Sequence, residues 1–183
     1  MSEHHENRRV QMTRRLLKEA LLELLEDTEL ARISVTALCQ KADVHRSTFY
    51  QYYTDPSALL QEIETDFFRM IPVPPEVLDP GNQKKLLLTT AAFFDTVREH
   101  RKSIRILFSK TAGNDFAARL VAFLCDGYIP FPEGDDGMSD HFKRLYVANG
   151  TVGMLREWIS ADCPIDSQQL AGMMYSFSRK VLS

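Results

Sequence analysis

Apolar residues recur at intervals of three and four along nearly the whole of this chain, a period that suits helices and excludes the alternation of half-buried strands. Between residues 10 and 25 the set Val10, Leu16, Leu17, Ala20, Leu21, Leu24 and Leu25 marks one buried stripe on a helix whose other face is charged. Ser34, just ahead of Val35-Thr36-Ala37-Leu38-Cys39, is placed to cap a short helix that ends near Ala42, with Asp43-Val44 as a tight turn. Residues 46–53, RSTFYQYY, read as another short amphipathic piece: Phe49, with Tyr50 or Tyr53, faces inward, and Arg46, Ser47, Thr48, Gln51 and Tyr52 face outward. Asp55-Pro56 restarts a helix that runs to about Met70, with a capping carboxylate followed by proline at the first helical position. Further helices are expected at about 83–99, 101–110, 114–128, 139–161 and 166–182. The fold class is all-α, with about nine helices in total.

The segment PVPPEVLDPG, residues 72–81, holds four of the eight prolines and cannot remain helical throughout. It marks a boundary in a chain of two parts: an N-terminal head at 1–54, and a helical domain at 55–183 whose first helix, 55–71, connects the two. No apolar run approaches the roughly 18 residues that span a bilayer, and the start MSEHHENRR lacks the apolar centre of a signal peptide, so a cytoplasmic protein is expected. Cys39, Cys125 and Cys163 are far apart and odd in number, without the spacing of a zinc site, and read as reduced core residues.

The formal net charge of -3 argues against a protein that coats nucleic acid, but the charge is unevenly placed. Residues 8–18 carry Arg8, Arg9, Arg14, Arg15 and Lys18 with no acid, and residues 19–29 carry Glu19, Glu23, Glu26, Asp27 and Glu29 with no base. Bases at the start of a helix and acids at its end oppose the helix dipole, and a surface laid against phosphates accounts for such a polarity. Two short helices joined by a tight turn, the second presenting small polar and basic side chains, have the geometry of a helix-turn-helix. A major groove admits one helix, whose outward residues bond to base edges and phosphates while inward aromatics lock it to its scaffold. His45, Arg46, Ser47, Thr48, Gln51 and Tyr52 supply the donors here, and Phe49 the anchor.

Over about residues 10–62, and most specifically in ISVTALCQKADVHRSTFYQYYTDPSALL, the sequence resembles the TetR family of transcriptional regulators. The resemblance implies a three-helix DNA-binding head and a ligand-binding, dimer-forming helical body. It implies that Ser34 and Thr36 open the supporting helix near the DNA backbone, that Arg46 and Thr48 lie at the groove, and that Tyr50 and Tyr52 touch phosphate or sugar. Three positions depart from the family pattern. Asp43 stands where glycine is usual, which aspartate tolerates because it enters the left-handed region at modest cost. His45 replaces a small capping residue, and Pro56 a phosphate-contacting lysine whose loss Arg8, Arg9, Arg14 and Arg15 are placed to offset.

In the body, residues 139–161 are apolar around much of the circumference, as expected of a helix buried by more than its own domain. Gly150 and Gly153 permit close approach of another helix, and Asp166 with Gln169 resembles a capping box opening the last helix. With the family resemblance, these two helices suit an isologous four-helix dimer interface through Val152, Leu155, Trp158, Ile159, Leu170, Met173, Met174 and Phe177. The pattern YVANGTVGMLREWISADCPIDSQQL also resembles a subset of the family that includes a coactivator of dihydroxyacetone utilisation. Phe94, Phe108, Phe123, Tyr128, Phe142, Tyr146 and Asn149 are the candidates to line an effector cavity, with ordinary core packing as the competing reading of the aromatics. The expected activity is that of a repressor that binds a pseudo-palindromic operator as a homodimer and is released by an effector. A coactivator working through a protein partner is the alternative, and a helical enzyme a distant one. No cofactor or metal is expected: His4-His5-Glu6 is a short terminal cluster, and EGDDG at 133–137 lacks the ligand ladder of a calcium loop.

Overall fold

The computed structural model describes residues 2–71, 83–113, 115–127 and 137–182. All regular structure among them is helical. The elements are α1 (Ser2–Leu25), α2 (Val35–Ala42), α3 (Arg46–Phe49), α4 (Pro56–Met70), α5 (Gln83–Glu99), α6 (Arg101–Leu107), α7 (Phe116–Gly127), α8 (Gly137–Ser160) and α9 (Ser167–Leu182). None of these helices is long and apolar enough to cross a membrane. The proline segment 72–81, the acidic stretch 133–136 and Tyr128 lie outside the described residues.

The chain divides into two compact units, Met1–Phe67 with Ser109–Asn114, and Phe68–Phe108 with Asp115–Ser183. In the first, α1 buries Leu17, Ala20, Leu21 and Leu25, a stripe narrower than the apolar pattern suggested. Leu16 stays exposed because each residue turns the helix by about 100°, which carries it off the face that Leu17 and Leu21 share. The helix also begins well before Val10, since a polar stretch needs no burial in order to continue a helix already nucleated. Ser34 Oγ accepts from the Ala37 N–H at 3.1 Å and Asp55 Oδ1 from the Ala58 N–H at 2.9 Å, so both expected caps form. The segment after α6 belongs to this first unit. Helix α6 stops at Leu107 rather than near 110, because Ser109 is extended and a 3-10 turn, Lys110–Ala112, follows. That turn lets Thr111 Oγ1 donate to the Leu25 carbonyl, 2.6 Å away, satisfying an acceptor that the end of α1 leaves open.

In the second unit α9 packs along α5 and α7 along α8. Phe94 sits against Trp158, with ring centroids 5.9 Å apart. Phe68 stacks on Phe116 and Phe123 at 5.7 and 5.1 Å, and Phe108 meets Phe116 edge-on at 4.9 Å. The expected capping box is present: the Gln169 N–H donates to Asp166 Oδ1 at 2.8 Å, and the Asp166 N–H donates to Gln169 Oε1 at 3.2 Å. The turn between α8 and α9 places two successive non-glycine residues in the left-handed region, Asp162 at φ 61° and Cys163 at φ 60°. Asp162 is held there by Arg101, whose Nε donates to its carboxylate at 2.6 Å.

Left-handed backbone is strained for any residue with a side chain. Cys163 makes no side-chain bond comparable to that of Asp162. Replacing Cys163 with Gly should therefore raise stability by about 0.5–1 kcal/mol in equilibrium urea unfolding, whereas Asp162→Gly, which also loses the Arg101 pair, should give no gain. A destabilised Cys163→Gly protein would mean that thiol packing outweighs the backbone strain.

Candidate nucleic-acid interface

Two elements too short to be stable alone are held in place by their ends. Helix α2 ends at Asp43, which adopts the left-handed conformation (φ 52°, ψ 46°), and the following Val44 N–H donates to the Cys39 carbonyl at 3.0 Å. Aspartate thus performs the C-terminal reversal that glycine usually performs. His45 is the N-cap of α3 in extended geometry, and its side chain makes no capping bond. Regular helix then lasts only from Arg46 to Phe49, shorter than the 46–53 expected, although the Tyr52 and Tyr53 N–H groups still turn back to the Phe49 carbonyl at 3.0 Å each. Asp55, which precedes a proline and caps α4, is kept out of helical geometry, so this helix cannot run on into α4.

This one-turn helix has a sharply divided surface. Phe49 and Tyr53 are buried, 0% and 6% exposed, and their rings touch at 5.7 Å. Tyr50 is 53% exposed, which settles which tyrosine turns inward. His45, Arg46, Ser47 and Gln51 are exposed, Thr48 and Tyr52 half-buried, and Ser34 and Thr36 at the start of α2 exposed. The nine sequence-derived candidates therefore all retain surface on the two short helices and the turn that follows them.

The basic end of α1 is less uniform than its sequence suggested. Arg14 pairs with Glu62 on α4, and its Nε donates to Tyr53 Oη at 3.2 Å. Lys18 reaches both Glu62 and Asp66. These two cations fasten α1 to α4 instead of facing a ligand, a long-range pairing that charge runs along the sequence do not disclose. Arg8 and Arg9 are exposed, and Arg15 pairs with Glu19 at the surface, 2.7 Å away. Burial alone would push the Glu62 carboxyl up, but hydrogen bonds from Lys18 and Arg14 outweigh it and hold the group below the usual carboxylate value. For Lys18, burial is likewise outweighed by Asp66 and Glu62, and its ammonium is held above the ordinary value.

The candidates in the body divide differently. Val152, Leu155, Trp158, Ile159, Leu170 and Met174, expected at a dimer interface, are buried within the chain's own core. Trp158 Nε1, for example, donates to the Ile165 carbonyl at 2.9 Å. Only Met173 and Phe177 of that set are exposed, at 43% and 50%. Conversely, Phe142 and Tyr146, expected around a cavity, are 59% and 69% exposed, and Asn149 is exposed with its amide donating to the Leu145 carbonyl. The cause is rotational: at about 100° per residue, 142, 146, 149 and 153 of α8 share one face, 148, 152, 155 and 159 share a neighbouring one, and 145 lies at the border between them. Phe108 and Phe123 do lie together in the cluster around Phe116, and Phe94 is core.

A TetR C-terminal family profile, described as a transcriptional regulator C-terminal region, matches residues 86–180. The HTH-type transcriptional regulator YxbF of Bacillus subtilis is 37% identical over 170 residues, covering 85% of this chain, and the chain spans 42% of that relative's length. A TetR transcriptional regulator of known structure from Streptococcus agalactiae superposes with a TM-score of 0.67 at 18% identity, covering 96% of this chain and 98% of that one. The dihydroxyacetone kinase operon activator DhaS superposes at 0.62 with 18% identity, covering 93% and 96%. At such identities these two likenesses concern the fold.

Because the folded Glu62 carboxyl has its value depressed, the stability it supplies is complete above the ordinary carboxylate range and is lost as pH falls through the folded value. Glu62→Gln should be about 1–2 kcal/mol less stable than the parent at pH 7, a figure discounted because Arg14 is 43% exposed. The difference should shrink toward zero as pH falls through the folded value, where the parent's own carboxyl is protonated. Urea unfolding of both proteins across that range checks it, and parallel profiles would remove Glu62 from the acid-sensitive set.

Proposed function

The chain belongs to the TetR family of transcriptional regulators, and from that membership we propose that it represses transcription by binding an operator as a homodimer that a small molecule releases. The observation that carries the DNA-reading part is the exposed polar edge of residues 45–52, set on a buried Phe49 and Tyr53. In this reading Arg46, Thr48, Ser47 and Gln51 face base edges. Ser34, Thr36, His45, Tyr50 and Tyr52 lie toward the flanking backbone, and Arg8 and Arg9 add charge. Arginine and small hydroxyl or amide side chains are the types that read a major groove, and phosphate contacts fix register without reading sequence.

For the dimer, this reading uses the exposed face of α8 together with Met173 and Phe177 of the set expected from the sequence. Phe142, Leu145 and Tyr146 are exposed there, Met173 and Phe177 are exposed on the adjoining α9, and a Cβ at Gly153 would meet no heavy atom within 4 Å. Exposed aromatic and aliphatic side chains beside glycine suit an isologous helix-on-helix contact. An isologous contact brings two heads together in one dimer, and an inverted repeat in the duplex matches that two-fold symmetry. The aromatic cluster containing Phe108 and Phe123 is the part of the body assigned to an apolar effector. By linkage, an effector that lowers operator affinity tenfold binds the operator complex tenfold less tightly than the free dimer.

Two measurements test this. Selection from a random duplex library should enrich an inverted repeat, and Arg46→Ala should lose about 1–3 kcal/mol on the enriched duplex with relaxed preference at one base position. An equal loss on scrambled duplexes would make Arg46 a phosphate contact instead. Gly153→Arg should leave the chain folded, since a Cβ there points into open space, but should shift sedimentation equilibrium to monomer. A Gly153→Arg dimer as tight as the parent would place the interface elsewhere.

A further inference from the structure

The recognition segment poses a mechanical problem that apolar burial alone does not solve. Four helical residues, Arg46–Phe49, form a single turn, and one turn does not repay the fixing of its own backbone. Burial of Phe49 holds the segment down but is non-directional, and a ring in an apolar socket permits the segment to roll about it. Roll is the motion that matters, because it carries Arg46, Ser47, Thr48 and Gln51 together out of register with anything they read.

The far end of the segment carries an unusual choice of residue. Tyr53 is 6% exposed, and a phenylalanine would fill almost the same space with no hydroxyl to desolvate. The hydroxyl is used: Arg14 Nε donates to it at 3.2 Å. Arg14 is in turn paired with Glu62, which also takes Lys18. One phenol oxygen at the end of the recognition segment is thereby tied to α1 directly and to α4 through a shared carboxylate. Hydrogen bonds to charged donors are both stronger and more directional than contacts between rings. Burial pushes the phenol up from its ordinary value, so it stays protonated at neutral pH and the tether does not depend on pH there.

We propose that Tyr53 is a positioning residue for DNA reading, its hydroxyl fixing the roll of residues 46–52 through Arg14 and Glu62, without itself touching DNA. The inference rests on the operator-binding function proposed above. It makes a distinction that a purely structural tyrosine would not. A specific complex needs every base contact in register at once, and a non-specific complex uses phosphate charge and tolerates roll. Loss of the tether should therefore reduce discrimination between sequences more than it reduces binding in general.

The test is Tyr53→Phe, measured by fluorescence anisotropy on the enriched duplex and on its scrambled counterpart at one salt concentration. The expected result is a loss of about threefold to tenfold on the enriched duplex, the scale of one hydrogen bond, with scrambled affinity unchanged. The thermal midpoint should fall by no more than about 4 °C, the shift that one such bond produces in a chain of this size. Arg14→Ala added to Tyr53→Phe should reduce the discrimination ratio no further, because both changes break the same link. If the parent discriminates between the duplexes and Tyr53→Phe discriminates equally well, or if both affinities fall together, the positioning role is overturned and operator binding stands. If the parent binds both duplexes alike, operator reading fails, and the positioning role fails with it.

Discussion

A helix of one turn has almost no stability of its own, so what is proposed for residues 45–52 depends on the burial of Phe49 and Tyr53 between the elements around them. Those two rings convert a stretch of chain with a polar exposed edge into a fixed surface. The elements that receive them are themselves joined by charge, through Arg14 and Lys18 of α1 meeting Glu62 and Asp66 of α4. Half-buried pairs of this kind contribute modestly to stability, yet they are directional, and removal of one partner leaves the other poorly solvated. The first unit is therefore held by apolar packing and aligned by ion pairs, two jobs with different physical requirements.

In the body the governing feature is that α8 is apolar on two adjacent faces. One face, with Ala148, Val152, Leu155 and Ile159, fills the chain's own core; the face beside it carries Phe142 and Tyr146 outward, with Leu145 at the border. Within its own unit this 24-residue helix has only the first of those faces buried. The proposed second copy follows from that geometry rather than from the count of apolar residues. Thr111, meanwhile, closes the carbonyl end of α1 from a segment some 86 residues away in sequence, so the first unit is completed by chain that lies beyond α6.

What was legible in the sequence was mostly local. Ser34, Asp55, Asp166 and Gln169 cap helices as their types and spacings indicate, and Asp43 adopts the left-handed turn expected of it, because capping is decided by residues within four positions of one another. Helix existence followed from period for the same reason. Rotation and partnership were less legible. Leu16 on α1, and Val152 against Tyr146 on α8, differ in exposure by where a neighbouring helix lies, and a pattern that is apolar all round does not say which face is taken. Arg14 and Lys18 looked like part of a phosphate-facing run because their partners, Glu62 and Asp66, are 48 residues away. The role drawn here for Tyr53 had no sequence signal beyond a tyrosine at an inward position.

The central claim is that residues 34–53 form the surface that meets DNA. Amide hydrogen exchange of the full chain, with and without an enriched duplex, tests it directly. The account predicts that within the head the duplex slows exchange chiefly across α2, α3 and the turn that follows, with scrambled DNA giving a weaker effect at the same concentration. Unchanged exchange throughout 34–53, with protection confined to the body, would contradict it.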